Sequence, residues 1–277
     1  MSGMIINSNI PSITAQRHLA NSRAEMEQAM ERLSSGKRIN SAMDDAAGLT
    51  IAHSLDAKVT SLNQAARNAN DGVSLINLAE GALDQVSAML TRMRELAVQA
   101  INGTYSQTDR TNMNSEFSAL ATEITRISDN TKFNDISVIG GTDTVTFQVG
   151  HTSSDTISLT FQDMAAGAIG SSADFLSAQT VSAVTDAQDA LGVIDLAIGD
   201  VDSYRATLGA TANRLEHSAA NLYTRVENQM AARSRIEDAD YAVEAANLAR
   251  AQVLQQAGTA MLSQANASTQ TVLSLLK

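Results

Sequence analysis

The stretch LNQAARNANDGVSLINLAEGALDQVSAMLTRMRELAVQA, residues 62–100, decides the fold of this chain. It contains no proline, and apolar or small side chains recur along it at steps of three and four residues that alternate almost throughout. Such spacing places these side chains on one face of a helix and is typical of the seam of a coiled coil or a long helical bundle. This first seam consists of Leu62, Ala66, Ala69, Val73, Ile76, Ala79, Leu83, Val86, Leu90, Met93, Ala97 and Ala100.

The helix that carries the first seam is expected to begin well before residue 62. Ser41 lies three residues before Asp44, which is the pattern of an N-cap followed by an acidic first turn. A helix over residues 44–100 would be roughly 85 Å long at a rise of about 1.5 Å per residue. That length is far beyond the average of about three turns, and it predicts a rod.

A matching second seam lies towards the other end of the chain. Antiparallel pairing of the two seams is the economical way to bury both, and it would bring the N- and C-termini to the same end of the rod. The predicted fold class is therefore mainly α, a long antiparallel helical bundle or coiled-coil rod. The second seam consists of Leu191, Ile194, Ile198, Val201, Tyr204, Leu208, Ala212, Leu215, Ala219, Leu222, Val226 and Met230.

Two shorter helices and one break complete the helical prediction. The first helix is expected to begin near Pro11, which a first turn tolerates, and to end at Leu33 before the stop residues Ser34-Ser35-Gly36. Residues 107–128 predict another helix from their apolar face. The last helical stretch is expected to have a break or a cap near Ser234.

The middle of the chain changes to the period of a strand. Apolar residues alternate with Thr and Gln over 145–149, and with Ser and Thr over 157–161. The polar loop 150–155 joins the two stretches, so a small β-hairpin region is predicted there. Residues 163–183 are rich in Ala, Gly and Ser and predict no firm element.

Composition excludes several classes of function. The net charge of −11 and the pI of about 4.7 argue against a nucleic acid or an anionic membrane as partner. The chain has no cysteine, which excludes disulfides and thiolate chemistry. No basic region precedes an apolar core at the N-terminus, so no cleavable secretory signal is expected.

No pattern of catalytic or metal-binding residues is present. The four histidines are not arranged as H-E-x-x-H, and the chain has neither a phosphate-binding G-x-x-x-x-G-K-[ST] loop nor a G-x-S-x-G elbow. Asp44 and Asp45 are adjacent, but neighbours on a helix point about 100° apart, so a role at a helix start fits them better than acid–base catalysis. We therefore predict no enzyme activity, no cofactor and no metal.

Both ends of the chain lack charge. Residues 1–16 and 251–276 contain no Asp, Glu, Lys or Arg, whereas a helix face in water normally carries charges opposite its apolar stripe. Amides and hydroxyls cost less than charges to bury, so these ends suit burial on more than one side. The alternative interpretation is that the ends are frayed, disordered tails in the free chain. The two interpretations are compatible if the ends are disordered in the monomer and become ordered on assembly.

Several motifs resemble those of bacterial flagellins. The longest, LSSGKRINSAMDDAAGL at 33–49, looks like the N-terminal signature of the family, and ARSRIEDADYA at 232–242 resembles its C-terminal signature. Shorter matches are RMRELAVQ at 92–99, Phe133-Asn134, FQVG at 147–150 and VLSLL at 272–276. The resemblance covers about 1–150 and 190–277.

This resemblance implies a structural subunit of the hollow flagellar filament used for swimming. Such subunits are exported unfolded through a type III secretion channel to the outside of the cell, without cleavage of a signal peptide. The paired terminal helices would form an inner tube and the long helices an outer one. The implied inner-tube packing residues are Ile5, Ile6, Ile10, Leu254, Met261, Leu262, Val272, Leu275 and Leu276.

The resemblance also implies how the chain divides. Segment 1–40 would be the N-terminal part of the inner domain with its connector, 41–140 the N-terminal part of the rod domain, 141–185 a hairpin and variable region, 186–233 the C-terminal helix of the rod domain, and 234–277 the C-terminal part of the inner domain. The middle is too short for large outer domains, so a smooth, thin filament is expected. The connector and signature residues are Ser34, Gly36, Arg38, Asn40, Asp44, Asp45, Gly48, Ser234, Arg235, Asp238 and Asp240.

The implied partners are other copies of the chain and the flagellar export machinery. They include a secretion chaperone on the C-terminal segment, the export apparatus, the filament cap and the hook-junction proteins. A host Toll-like receptor could contact Arg92, Leu96 and Glu116 on the monomer; alternatively these residues pack neighbouring subunits. A competing interpretation is a hook–filament junction protein, although the complete signature at 33–49 argues against it. A metallopeptidase-type flagellin is disfavoured because H-E-x-x-H is absent.

Overall fold

The computed structural model describes residues 9–170 and 174–274, with side chains up to residue 268. Its contacts divide the chain into two compact units. The terminal unit comprises Met1–Val59 and Asn228–Lys277, and the central unit comprises Thr60–Glu227. The domain boundaries predicted at residues 40 and 234 remain predictions. In the division by contacts, residues 41–59 and 228–233 belong to the terminal unit.

The chain is mainly α, as predicted. Five helices are present in the described residues: α1 Ile10–Ser35, α2 Ala46–Ile101, α3 Gln107–Asn130, α4 Val184–Glu237 and α5 Tyr241–Ser274. Four short strands form two antiparallel pairs: β1 Lys132–Phe133 with β2 Ile136–Ser137, and β3 Thr144–Gln148 with β4 Thr156–Thr160. A 3-10 turn lies at Leu176–Ala178. No helix in the described part of the chain is long and apolar enough to cross a membrane.

The two predicted seams form the core of the central unit. Every first-seam residue is buried except Val73, which packs partly buried against the same core. Two ion pairs show the direction of packing, because Glu80 pairs with Arg205 and Arg94 pairs with Asp195. Residue numbers therefore rise along α2 in the direction in which they fall along α4, and the two helices are antiparallel. Met230, the last residue of the predicted second seam, is exposed and belongs to the terminal unit.

Helix α1 begins near Pro11 as predicted, ends at Ser35 two residues beyond the predicted Leu33, and has one unpredicted cap. Asn9 Oδ1 accepts a hydrogen bond from the Ser12 backbone N–H at 3.0 Å and so caps the first turn, in which Pro11 lies. At the other end Gly36 has a φ of 71°, a left-handed conformation that glycine adopts at little cost.

The predicted start of α2 is wrong by a few residues. The helix begins at Ala46, and its cap is Asp45, whose Oδ1 accepts a hydrogen bond from the Gly48 N–H at 2.8 Å. Ser41 is not an N-cap. Instead the carboxylate of Asp44 accepts hydrogen bonds from the backbone N–H and the hydroxyl of Ser41, at 2.9 and 3.1 Å, which closes a separate turn before the helix.

The predicted hairpin is confirmed, and a second one accompanies it. In β3 and β4, Phe147 pairs with Ile157 and Val145 with Leu159, and three of these four side chains are buried. The second hairpin, β1–β2, was not predicted. Its two-residue turn consists of Asn134 and Asp135 at φ of 49° and 66°, the left-handed conformation that Asn and Asp tolerate in such turns.

The predicted break near Ser234 lies three residues too early. Helix α4 continues to Glu237, and the next helix starts at Tyr241. Asp240 caps that helix, because its Oδ1 accepts hydrogen bonds from the backbone N–H groups of Ala242 and Val243 at 2.9 and 3.3 Å.

Candidate assembly surface at the paired ends of the chain

Helices α1 and α5 pack against each other within the terminal unit. Near the ends of the chain, Asn9 Nδ2 donates to the carbonyl oxygen of Ala265 at 3.2 Å, and the Ser12 hydroxyl donates to Asn266 Oδ1 at 3.0 Å. Farther along, Arg32 forms an ion pair with Glu244 at 3.1 Å. The helices are therefore antiparallel, and the described parts of the two uncharged ends contact each other.

A glycine lies at a tight contact between these helices. A Cβ built on Gly258 would lie 3.0 Å from Leu19 Cδ1, which is closer than side-chain carbons normally come. Beside this contact runs an open groove of about 750 Å³, lined by both helices. Groove residues include Ile10, Pro11, Leu19, Leu254, Gly258 and Met261.

Large apolar side chains are exposed on this helix pair, three of them along the groove. Ile10 and Met261 are 58 % and 64 % exposed, and Leu254 is also exposed. These are three of the residues that the flagellin resemblance implies for inner-tube packing; Leu262 is half-buried. Ile5, Ile6, Leu275 and Leu276 lie outside the described residues, as does the side chain of Val272. Ile13 and Val253 are exposed in the same way and were missed, although both lie within the uncharged ends.

The connector segments pair with each other. Lys37 and Asp238 form an antiparallel bridge, the Arg38 N–H donates to the carbonyl oxygen of Glu237 at 2.6 Å, and the Ala239 N–H donates to that of Gly36 at 3.0 Å. The structure thus brings together the two motifs at 33–49 and 232–242, which lie about two hundred residues apart along the chain.

An ionic cluster stabilises the pairing of the connector segments. The nearly buried carboxylate of Glu237 contacts Lys37 Nζ and, at 3.6 Å, Arg233 Nε. Arg233 also pairs with Asp56 on α2. Lys37, Asp56, Arg233 and Glu237 line a cavity of about 110 Å³ in the terminal unit. Sequence reasoning missed this cluster; only the i, i+4 spacing of Arg233 and Glu237 was a signal.

The signature before α2 forms a tight turn. Hydrogen bonds from Ser41 and Asn40, first of all from the Ser41 backbone N–H, hold the pKa of Asp44 below its usual value, and Gln28 of α1 also donates to it at 3.1 Å. Ile39 is buried and lies against Gly48, where a Cβ would come within 2.7 Å of its Cδ1.

The remaining signature residues have smaller roles. Asn40 Nδ2 lies 3.4 Å from the carbonyl oxygen of Lys37, to which it donates. Arg38 Nη2 donates to the carbonyl oxygen of Ile236 at 2.7 Å, and the Asp238 N–H donates to that of Ser234 at 2.9 Å. Ser34 and Arg235 are exposed on the last turns of their helices.

The three residues of the implied receptor contact lie in the central unit. Arg92 Nε contacts Glu116 Oε1 at 2.8 Å and Arg92 Nη1 contacts Glu95 Oε2 at 3.0 Å; these hydrogen bonds, first that to Glu116, raise the pKa of Arg92. Leu96, however, is 1 % exposed. The expectation that Leu96 contacts a receptor at the surface is therefore wrong, because its side chain packs in the hydrophobic core.

No group of three or more His, Cys, Asp and Glu side chains that could hold a metal ion occurs in residues 9–170 and 174–274. The groups that the structure does bring together are backbone amides, neutral side chains and ion pairs. Such groups can pack and lock helices against each other.

Comparisons with known proteins match both ends of the chain. Residues 6–144 match the family described as the bacterial flagellin N-terminal helical region, and residues 191–276 match the bacterial flagellin C-terminal helical region. A flagellin from Halalkalibacterium halodurans is 46 % identical over 275 residues, covering 99 % of this chain and 100 % of that protein. A flagellin from Bacillus subtilis is 42 % identical over 306 residues, with 99 % and 100 % covered.

Solved structures agree with this result. The crystal structure of Bacillus cereus flagellin matches with a TM-score of 0.50 and 31 % identity, covering 56 % of this chain and 88 % of that one. A protein described as a hook-associated protein of the Vibrio parahaemolyticus flagellum matches with a TM-score of 0.61 but only 15 % identity, covering 70 % and 100 %, a likeness of fold alone. The chain therefore belongs to the bacterial flagellin family and is a structural subunit of the flagellar filament, not an enzyme.

Proposed function

We propose that the chain polymerises through its paired terminal helices, with α1 and α5 of neighbouring copies forming the inner tube of the filament. The observation that carries the proposal is the contrast between the contacts that join α1 and α5 and the apolar surface that the pair leaves open. The two helices are joined by neutral hydrogen bonds at Asn9 and Ser12, while Ile10 and Met261 beside the groove, and Ile13, stay exposed to water.

Burial of those exposed side chains drives the assembly. Each large apolar side chain contributes about 1.5–3 kcal/mol when it is fully removed from water. The absence of charge from residues 1–16 and 251–276 means that no ion has to be desolvated when a second copy covers this surface.

The connector pairing supplies a fixed joint for the inner pair. The Lys37–Asp238 bridge and the Glu237 ion pairs hold the segment that follows α1 against the segment that precedes α5. Neighbouring copies then meet helices whose positions are already set, which lowers the ordering cost of association.

Export precedes assembly in this proposal. The chain leaves the cell unfolded through the flagellar type III channel, and a chaperone covers the C-terminal segment until then. Support comes from α5, because Val253, Leu254 and Met261 stay exposed even in the folded chain and would be an aggregation hazard in the cytoplasm. The export apparatus, the filament cap and the hook-junction proteins are the further partners.

A hook–filament junction role is the alternative. The hook-associated protein from Vibrio parahaemolyticus shares the fold, but at 15 % identity. Two flagellins, at 46 % and 42 % identity, are matched over 99 % of this chain and the whole of their own length, and that full-length likeness favours the filament subunit.

A Toll-like receptor remains a proposed partner of the monomer. The surface left for it is the exposed Arg92–Glu116 pair without Leu96. Both residues are about half exposed, so a receptor could replace the solvent on this face of α2 and α3.

A substitution series at Met261 tests the inner-tube proposal. Purified full-length protein is seeded with sheared filaments or salted out, and polymer is measured by sedimentation and electron microscopy. Met261→Leu keeps the apolar surface and should form normal filaments. Met261→Gln should raise the critical concentration, and Met261→Glu should abolish polymer because it places an unpaired charge in the interface. Normal filaments from Met261→Glu, with helix content unchanged by circular dichroism, would show that this face is not buried.

Removal of residues 255–277 tests the same proposal more severely. The truncated chain loses the part of α5 that packs on the first half of α1, but it keeps residues 60–227 whole. We expect no filaments and little loss of helical signal beyond the deleted residues. Filaments from the truncated chain would overturn the inner-tube role and leave the family assignment untouched.

A further inference from the structure

The turn between α2 and α3 contains an Asn–Gly step. Asn102 and Gly103 are exposed and lie just beyond the end of α2. Asparagine is a thermolabile side chain, because its carboxamide carbon can react with the backbone nitrogen of the next residue, and glycine hinders that reaction least since it has no side chain. We propose that Asn102–Gly103 is a site of spontaneous deamidation at which Arg110 directs the product towards isoaspartate.

The reaction needs only water. The Gly103 nitrogen loses its proton to water and bonds to Cγ of Asn102, the Cγ–Nδ2 bond breaks, and ammonia leaves. The product is a five-membered succinimide, in which the Gly103 nitrogen joins the α-carbonyl and the former side-chain carbonyl of residue 102. Water then adds to one of these carbonyls and opens the ring. Addition at Cγ gives aspartate, and addition at the α-carbonyl gives isoaspartate, whose α-carboxylate is free.

The turn leaves the nucleophile available and activates the electrophile. The Gly103 N–H donates to no acceptor among the described residues, and a Cβ built on Gly103 would meet no atom within 4 Å. The Thr104 N–H donates to Asn102 Oδ1 at 3.2 Å. This hydrogen bond draws electron density from the side-chain carbonyl as donors do in an oxyanion hole, so Cγ becomes easier to attack.

Arg110 acts on the second step. Its side chain is 9 % exposed; Nη2 donates to the carbonyl oxygen of Asn102 at 3.2 Å and Nε donates to that of Ala100 at 2.9 Å. When water adds to the α-carbonyl of the succinimide, negative charge develops on the oxygen that the guanidinium contacts. The Thr104 N–H favours the other carbonyl, but a hydrogen bond from a charged donor is roughly twice as strong as a neutral one.

The product fits the same environment. In isoaspartate the former α-carbonyl of residue 102 is a carboxylate beside Arg110, which replaces a neutral acceptor with a charged one. The chain gains one negative charge and one backbone methylene between α2 and α3. The added charge and the added methylene persist, because the ammonia has left and the reaction cannot return to asparagine.

Asn40–Ser41 is an internal comparison within the same chain. The Ser41 N–H donates to Asp44 Oδ2 at 2.9 Å, and the Asn40 N–H donates to the same oxygen at 3.2 Å. The attacking nitrogen would be that of Ser41, and it is already engaged in a hydrogen bond to Asp44. The side chain of Ser41 also hinders the attack, unlike glycine. We expect this step to stay intact while Asn102 reacts.

Mass spectrometry of the full-length protein tests the proposal. The protein is incubated at mildly alkaline pH, digested with trypsin, and followed through peptides 95–110 and 39–58, in which Asn102 and Asn40 are the asparagines. We expect the mass shift of an amide-to-acid conversion in peptide 95–110 only. Isoaspartyl methyltransferase then measures the share of isoaspartate, which should exceed that of the chain incubated in urea.

Two variants complete the test. Gly103→Ala should slow conversion at least several-fold in a chain with unchanged circular dichroism. Arg110→Gln should lower the share of isoaspartate to that of the urea-treated chain, with the site located by fragmentation because the tryptic peptide is longer. If peptide 95–110 stays intact while the urea-treated chain converts, the turn protects Asn102 and the proposal is wrong. Equal shares of isoaspartate in native and urea-treated wild-type protein would overturn the role of Arg110, whether or not the variant folds.

Discussion

Glu237, on the last turn of α4, accepts the backbone N–H of Arg38 at 2.6 Å, and so joins the two connector segments of the chain. The side chain of the same residue holds the cations Lys37 and Arg233. One residue therefore supplies one of the two backbone hydrogen bonds between the connector segments and also the carboxylate that pairs with their cations.

Glu237→Gln should loosen this connector. The neutral amide can accept a hydrogen bond but no longer balances the two cations, so we expect a loss of about 1–3 kcal/mol in the stability of the terminal unit. Limited trypsin digestion measures the effect, because cleavage after Lys37 and Arg38 should become faster. Glu227→Gln, at an exposed position of α4, is the matched control and should leave the cleavage rate unchanged. Equal rates for both variants would contradict the locking role of Glu237.

Two glycines on α2 should respond to alanine in opposite directions. A Cβ on Gly48 would come within 2.7 Å of Ile39 Cδ1, so Gly48→Ala should destabilise the turn before α2 by about 1–3 kcal/mol through overpacking. Gly81 has no atom within 4 Å of that position. Gly81→Ala should therefore stabilise the helix by about 0.5–1 kcal/mol. Urea unfolding monitored by circular dichroism measures both, and a stabilised Gly48→Ala would refute the close contact.

Tyr204→Phe should destabilise the central unit. The Tyr204 hydroxyl is fully buried and donates to the carbonyl oxygen of Val138 at 2.9 Å, so the variant leaves that acceptor without its donor at a cost of about 1–2 kcal/mol. Tyr223, which is 52 % exposed, supplies the control. Tyr223→Phe should change thermal unfolding very little, and a similar effect of both variants would argue against a special role for the buried hydroxyl.

Alkaline pH should act on the same tyrosine. Burial raises the pKa of Tyr204 from 10.0 to about 12, although a backbone hydrogen bond at Gln162 works in the other direction. The neutral phenol therefore stabilises the fold fully below pH 10, and this contribution is lost as the pH rises towards 12. The loss amounts to about 2–3 kcal/mol. Above pH 10 the free energy of unfolding should fall less steeply with pH in Tyr204→Phe than in the wild-type protein. Equal slopes would show that another group causes the alkaline loss of stability.

The receptor proposal predicts a difference between two similar arginines. Arg92 pairs with Glu116 between two helices, whereas Arg126 pairs with Glu123 on α3 alone, and all four side chains are exposed. In a reporter assay for a Toll-like receptor with monomeric protein, Arg92→Ala should reduce signalling at least tenfold and Arg126→Ala should not. Equal signalling by wild-type protein and Arg92→Ala would remove this face of the molecule from the receptor contact.

The sequence by itself determined the helices, the β3–β4 hairpin and the uncharged ends. The seam from Leu62 to Ala100 can be recognised in the sequence because residues on one face of a helix recur every three to four positions. The alternation within 145–161 can be recognised because residues on one face of a strand recur every second position. These are local patterns, and the family motifs at 33–49 and 232–242 are local as well.

The tertiary structure decided what depends on distance between remote parts of the chain. Asp56 and Arg233 form an ion pair across more than half of the sequence, and no spacing rule links them. Leu96 belongs to the core and not to the surface because it packs in a cluster with residues from remote parts of the chain, and Arg110 reaches Asn102 because the turn folds α3 back. A periodic pattern tells which face of a helix is buried, but only packing fixes the neighbour that buries it.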